Sequence, residues 1–329
     1  MSRLQLSVAI GAYDRVRPIH DGDVLIDGAD PVFLFLEPEE IFFRAFRFEE
    51  FDVCELSLSS YTLRTAAGTC PYVAVPVFPS RAFRHTAITV RTDRIHRPED
   101  LKGRRVGIPE YQLTANVWAR ALLADEFGVQ PSDMSWVQGG LEQPGRIEKI
   151  NLNLPADVRI EPAPGDRSLS ALIEAGEIDA IIAPRPPSCF ARPGSNVGWL
   201  FPDPVAAATA YYKATRIFPI MHVLGVRRTL VERHPWLPAS LTKAFTRAKD
   251  LAIERLVDPS ASKITLPFTE ERGREAQALM GHDYWAYGLD ANRHVLDTFL
   301  DHHFRQGLSV RRLTPDELFA PSSLEAFKI

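Results

Sequence analysis

At 329 residues, with 45% hydrophobic and 24% charged side chains, the chain is long enough to bury a large core and to divide into two domains. Its 38 Lys and Arg against 42 Asp and Glu, a net charge of −4, exclude a molecule drawn to nucleic acid or to an anionic membrane by its overall field. No apolar window is long enough to span a bilayer and no secretory leader pattern stands at the N-terminus. The widely spaced Cys54, Cys70 and Cys189 read as reduced thiols, so a soluble cytoplasmic protein is expected.

In chain order, Leu4 to Ile10 alternates as a strand and ends at Gly11; Val24 to Ile26 and Pro31 to Leu36 form a second extended stretch around the turn Asp27-Gly28. Pro38 opens a helix with Glu39 and Glu40 in its first turn. Asp52 to Leu56 is a short strand, Ser57 to Ala67 a helix stopped by Gly68, and Tyr72 to Phe78 a strand that ends at Pro79. Thr86 to Arg91 is a further strand. The segment from Arg97 to Ile108 reads as a helical turn, a glycine stop and a strand, and Thr114 to Phe127 as a helix closed by Gly128. Val158 to Glu161 and Ala180 to Pro184 are strands flanking a helix at Leu169 to Ala175. Such alternation predicts parallel sheets built from βαβ units. From Pro235 onward the pattern is helical: Pro235 to Leu256, Thr269 to Leu279, Asp290 to Gln306 and Pro315 to Leu318.

Two phrases, "RPEDLKGRRVGIPEYQLTANVWARALL" and "SLSALIEAGEIDAIIAP", resemble the second lobe of type 2 periplasmic binding proteins. The resemblance implies an α/β, two-lobed type 2 periplasmic-binding-protein-like fold with a helical C-terminal part. The first lobe would be discontinuous, 1–92 and 216–329 with the helical tail; the second lobe would be 93–215, with a cleft between them. The crossing strands would be Thr86 to Arg91 and roughly Met221 to Val226. The runs "LSVAIGAYDRVRP", "EPEEIFFRAFR", "CELSLSSYTLRTAAGT", "VPVFPSRAFRH", "GIPEYQLTANVWARALL" and "FPIMHVLGVRRTLVERHPWLP" are similar to 4,5-dihydroxyphthalate decarboxylases, and the similarity extends over essentially the whole chain. It implies a carboxy-lyase of phthalate degradation that releases CO2 from a hydroxylated aromatic diacid and leaves protocatechuate.

Ligands in such folds sit at the carboxyl ends of parallel strands. That rule selects Tyr13, Asp14, Arg15 and Arg17 after the first strand, and Glu55, Ser57, Ser59, Ser60 and Tyr61 after the third. It further selects Ser80, Arg81, Arg84 and His85, then Glu110 to Thr114 with Tyr111 and Thr114, Arg185 with Ser188, and Pro219 to His222. A diacid needs cations, because a buried carboxylate without a partner is costly, and the guanidinium fork suits a carboxylate. Arg15, Arg17, Arg81, Arg84 and Arg185 are therefore substrate-binding candidates together with Ser59, Tyr61, Tyr111 and Thr114; surface arginines and plain helix capping are the bland alternatives.

Decarboxylation needs a proton on the ring carbon that loses CO2 and electron density from the para hydroxyl. His85 and His222 are the acid candidates, His85 favoured because its loop also carries Arg81 and Arg84; Glu55 and Asp14 are candidates for the phenol side. No dinucleotide or phosphate-cradling glycine pattern occurs, and no organic cofactor is expected. His294, His302 and His303 read as a solvated helix face and no metal ligands are assigned, though a bound metal ion stays open. The expected partner is a small aromatic carboxylate, with neither nucleic acid nor membrane; the sequence says nothing of oligomeric state. The competing readings are a non-catalytic solute-binding protein for an aromatic or other organic anion and, behind it, a same-fold enzyme of different chemistry such as a thiamine-pyrimidine synthase.

Overall fold

The computed structural model describes residues 3–146, 148, 152, 154–261 and 263–324. Among these the strands are β1 (Leu4–Ile10), β2 (Ala29–Phe35), β3 (Val53–Ser57), β4 (Tyr72–Arg81), β5 (Ile88–Arg91), β6 (Arg105–Ile108), β7 (Ser135–Gln138), β8 (Arg159–Pro162), β9 (Ala180–Ile182), β10 (Val197–Trp199) and β11 (Ile220–Arg227). They form two sheets, each in its own compact unit. The first unit is Met1–Arg81, Ile220–Leu296 and Leu313–Ile329; the second is Ala82–Pro219 and Asp297–Arg312.

In the first unit the order is β2-β1-β3-β11-β4. β1 pairs in parallel with β2, from Leu4 opposite Ala29 to Ile10 opposite Phe35, and with β3 at Val8–Val53 and Ala9–Cys54. The helix Pro38–Phe48 makes the crossover from β2 to β3, as parallel pairing requires. β3 is buried at every residue, a strand covered on both faces, and it carries one carboxylate, Glu55, into that interior. β11 lies antiparallel beside it, with His222 opposite Ser57 and Leu224 opposite Glu55. The C-terminal ends of β1 and β3 and the start of β11 therefore meet on one margin of the sheet.

β4 does not end at Pro79 as expected but runs to Arg81. It is the outer strand of the sheet, where a proline removes no ladder bond that is needed. Other segments cover its outer groups. Gly288 N donates to Pro76 O at 2.8 Å, Ala320 N to Ala74 O at 2.9 Å and Trp285 Nε1 to Phe78 O at 3.0 Å.

The second unit orders its strands β10-β5-β9-β6-β7-β8. β9, β6, β7 and β8 are mutually parallel, while β5 runs antiparallel to both β9 and β10. Its core gathers Val137, Leu169, Leu172, Ile173, Ile178 and Ile181. The helix Thr114–Phe127 follows β6 and is buried from Thr114 to Leu123. The C-terminal tail explains that burial, and it corrects the expectation that the whole tail packs on the first lobe: residues 297–312 belong to the second unit. Phe299 lies 5.4 Å from Trp118 between ring centroids, and Gln306 Nε2 donates to Val117 O at 3.1 Å. Nor do His302 and His303 line a solvated face. Both are buried, His302 Nε2 2.7 Å from Asp125 Oδ2 and His303 beside Phe299, because this side of the helix Arg293–Arg305 packs inward.

Candidate active site

Glu55 is fully buried and its carboxylate has three partners. Oε2 accepts from Gly11 N at 3.0 Å, while Oε1 accepts both from the Tyr13 hydroxyl at 2.8 Å and from His222 Nδ1 at 2.5 Å. Gly11 makes this possible twice over. Its amide is a donor, and a Cβ there would stand 2.6 Å from Cζ of the Tyr13 ring, so only glycine lets that ring fold back toward Glu55. Burial pushes the Glu55 carboxyl upward, but the His222 charge and hydrogen bond, with the Gly11 amide and Tyr13 hydroxyl, outweigh it and hold the group below the usual carboxylate range. The Tyr13 hydroxyl moves the other way, raised by burial and then by the charge of Glu55, so it stays protonated as a donor. An ionised Glu55 accepts only, which fixes the proton of His222 on Nδ1 and leaves Nε2 as the outward nitrogen. The Phe42 ring, on the helix Pro38–Phe48, meets His222 edge-on at 4.9 Å.

A depressed carboxyl contributes stability that is complete above its ordinary titration range and is lost as pH falls through its lower folded value. The Glu55→Gln variant should therefore show a flatter loss of stability on acidification than the parent, measured by circular dichroism. An equal slope in the two proteins would remove Glu55 from the acid response.

Arg15 stands beside this group. Its Nε donates to Pro79 O at 2.7 Å, Nη2 reaches the same oxygen, and Nη1 pairs with Asp14 at 3.1 Å. The guanidinium carbon lies 4.1 Å from the Tyr13 ring centroid and 4.5 Å from that of Trp285. Asp14 is half exposed. An anion arriving at Arg15 would exchange with a solvated carboxylate and leave the Pro79 anchor in place.

The other expected site residues fall elsewhere. Arg17 is exposed, 3.7 Å from Asp21. Ser59 is buried within the helix Leu58–Ala66. Tyr61 accepts from Ala74 N at 3.0 Å and donates to Leu318 O, a core role. Arg81 is buried, with Nη2 donating to Ala286 O at 2.7 Å and to Asn292 Oδ1.

Arg84 and His85 belong to the second unit, where both line a small apolar cavity with Trp118, Leu122, Tyr211 and Pro219. Burial pushes the Arg84 guanidinium down to about 10 and the His85 imidazole down to about 4, which leaves that histidine neutral at pH 7. His85 Nδ1 has no hydrogen-bond partner among the described residues. Tyr111 and Thr114 are buried in the same unit, and Arg185 is exposed. Phe42 and Trp285 were not anticipated from sequence. The dense aromatic run Tyr284-Trp285-Ala286-Tyr287 between Gly281 and Gly288 was the available signal for Trp285. Among the described residues no group of three His, Cys, Asp or Glu side chains is placed to hold a metal ion.

A curated 4,5-dihydroxyphthalate decarboxylase from Comamonas testosteroni is 60% identical over 330 residues, covering all of both chains. The chain belongs to the 4,5-dihydroxyphthalate decarboxylase family. A second protein of that name, from Pseudomonas putida, is 58% identical over 215 residues, 65% of this chain and 83% of that one. No family model matches. Among solved structures, the alkanesulfonate-binding protein SsuA from Xanthomonas axonopodis pv. citri bound to MOPS aligns with a TM-score of 0.52 at 15% identity, over 98% of each chain. The periplasmic aliphatic sulphonate binding protein SsuA from Escherichia coli gives 0.51 at 15% identity, over 100% of this chain and 96% of that one. At such identity these two share the fold with the decarboxylase family and nothing more. The periplasmic-binding-protein fold expected from sequence is thus present, with its helical C-terminal part.

Proposed function

We propose that the chain is a carboxy-lyase that converts 4,5-dihydroxyphthalate to protocatechuate and CO2, with His222 as the proton donor. The observation that carries the activity is the 60% identity to a decarboxylase of that name across the whole chain. The residue roles rest on the Tyr13–Glu55–His222 group with Arg15 beside it. Arg15 takes one substrate carboxylate in exchange for Asp14. His222, protonated on both nitrogens with Nδ1–H on Glu55, delivers the Nε2 proton to the ring carbon that bears the departing carboxylate. The new C–H bond takes its electron pair from the ring, which the para hydroxyl replenishes. The C–C bond then breaks, its pair restores the aromatic ring, CO2 departs, and His222 regains a proton from solvent.

This reading places the chain in the cytoplasm, a compartment that suits its three free and buried cysteines. On incubation with 4,5-dihydroxyphthalate, chromatography should show protocatechuate formed in step with CO2. A non-catalytic anion binder would take up the diacid and return it unchanged.

A further inference from the structure

The buried Lys249 has no part in the mechanism above, yet its pairings lead back to Arg15. It lies on the helix Leu237–Leu256 with its side chain 1% exposed. Its Nζ meets Asp250 Oδ1 at 2.7 Å and Asp283 Oδ1 at 2.6 Å, and both carboxylates are half exposed. A buried ammonium is costly to desolvate, and an apolar side chain of similar volume would serve packing about as well. What the lysine adds is a fixed place for Asp283, 34 positions further along the chain.

Residues 282–285 form a turn, so fixing Asp283 also fixes Trp285 two positions later. The segment is tied again just beyond. Ala286 O accepts from Arg81 Nη2 at 2.7 Å and from Asn292 Nδ2 at 3.0 Å, and Gly288 N donates to Pro76 O at 2.8 Å. Trp285 Nε1 donates to Phe78 O at 3.0 Å, and the indole ring lies 4.5 Å from the guanidinium carbon of Arg15. All of these residues belong to the first unit.

Arg15 needs such a neighbour. Its Nε and Nη2 both donate to the one oxygen of Pro79, and a guanidinium held at a single atom is free to swing about it. The Tyr13 ring, 4.1 Å away, and the Trp285 ring restrict that swing. Their π faces attract the cation without occupying its N–H groups. Nη1 thereby keeps its direction toward Asp14, the place that an arriving carboxylate takes.

We propose that Trp285 is a positioning residue that aims Arg15 at the substrate carboxylate, and that the Lys249–Asp283 pair holds Trp285 in place. This rests on the reading of Arg15 as the carboxylate ligand.

The test is a set of double-mutant cycles on the full-length protein, read as initial rates of CO2 release from 4,5-dihydroxyphthalate. Trp285→Leu raises KM by about 2- to 30-fold, the range for loss of a cation–π contact, and leaves kcat within twofold. Trp285→Phe, which keeps a ring, recovers most of that loss. Lys249→Met shifts KM in the same direction by a smaller factor; if it fails to fold, Asp283→Asn cuts the same pair from its half-exposed side. In the Arg15→Ala background neither change lowers kcat/KM further, because the group they position is gone. A parental KM in Trp285→Leu, or an undiminished effect in the Arg15→Ala background, overturns the proposal. Arg15→Ala with parental KM defeats instead the reading of Arg15 on which it rests. Calorimetric titration of phthalate into the same variants gives the cycle without turnover, so a parent that releases no CO2 counts against the decarboxylase reading alone.

Discussion

His222→Gln should lower kcat for 4,5-dihydroxyphthalate by about 100- to 10,000-fold and leave KM within a few-fold of the parent. The reason is positional. The acid is needed when the ring carbon takes its proton, a charge change confined to the transition state, whereas in the proposed mechanism ground-state binding rests on Arg15. Glutamine retains a donor toward Glu55 and approximates the volume of the ring, so folding, checked by circular dichroism, should survive. His85→Gln is the informative control. That side chain sits among Phe201 and Tyr211, with ring centroids 5.0 and 5.6 Å away, and burial holds it neutral. Its replacement acts on packing in the second unit and should leave kcat close to the parent. If His222→Gln keeps more than about a tenth of parental turnover, below the usual effect of losing such an acid, the proton comes from another group, and Tyr13 is the next to test.

Arg15→Ala should raise KM, or abolish measurable saturation, by about 30- to 4,000-fold, corresponding to roughly 2–5 kcal/mol for the loss of one partner of a buried hydrogen-bonded charge pair. Arg15→Lys should fall between the two. It retains a charge but cannot bond Pro79 O and a carboxylate as a planar fork, nor lie between the Tyr13 and Trp285 rings in the same way. Initial-rate kinetics across a wide substrate range decides the matter. A KM within twofold of the parent in Arg15→Ala would mean that the guanidinium only ties β4 to the turn after β1.

Much of the fold could be read from short-range pattern. The strand at Leu4–Ile10, the helix with Pro38 at its start and the helix Thr114–Phe127 closed by a left-handed Gly128 all stand where periodicity and stop signals put them. The helix Pro204–Thr215 carried an equally plain signal that went unread: Asp203 accepts from Ala206 N and Pro204 opens the first turn ahead of an alanine-rich run. β7 and β10 were missed for a different reason. At four and three residues they are too short to show a period, and their neighbours make them strands.

The site followed the same division. That Glu55, Tyr13 and His222 carry polar groups near strand ends is local information. That they share one oxygen is not, because His222 reaches Glu55 across 167 positions through the antiparallel register of β11 on β3. The arginines show the converse. Arg81 has the residue type and position of a ligand clamp, yet its Nη2 is engaged by Ala286 and Asn292, groups more than 200 positions further along the chain. Residue type nominated the chemistry; the long-range pairings decided which side chains were left for it.

The helix Arg293–Arg305 starts in one compact unit and continues in the other, and the chain then returns to the first unit at Leu313. That return brings Leu318 to the Tyr61 hydroxyl and Phe319 to a bridge with Ala74 on β4. On the ribosome, therefore, neither half can finish and release its hydrophobic interior from danger while the rest is still being made. The sheet begun by the first ten residues gains its β11 partner only after residue 220 has emerged, and its last outer-edge contact only near residue 320. At roughly 5–20 residues per second the early strands wait for tens of seconds with an open flank, the interval in which a chaperone has most to protect.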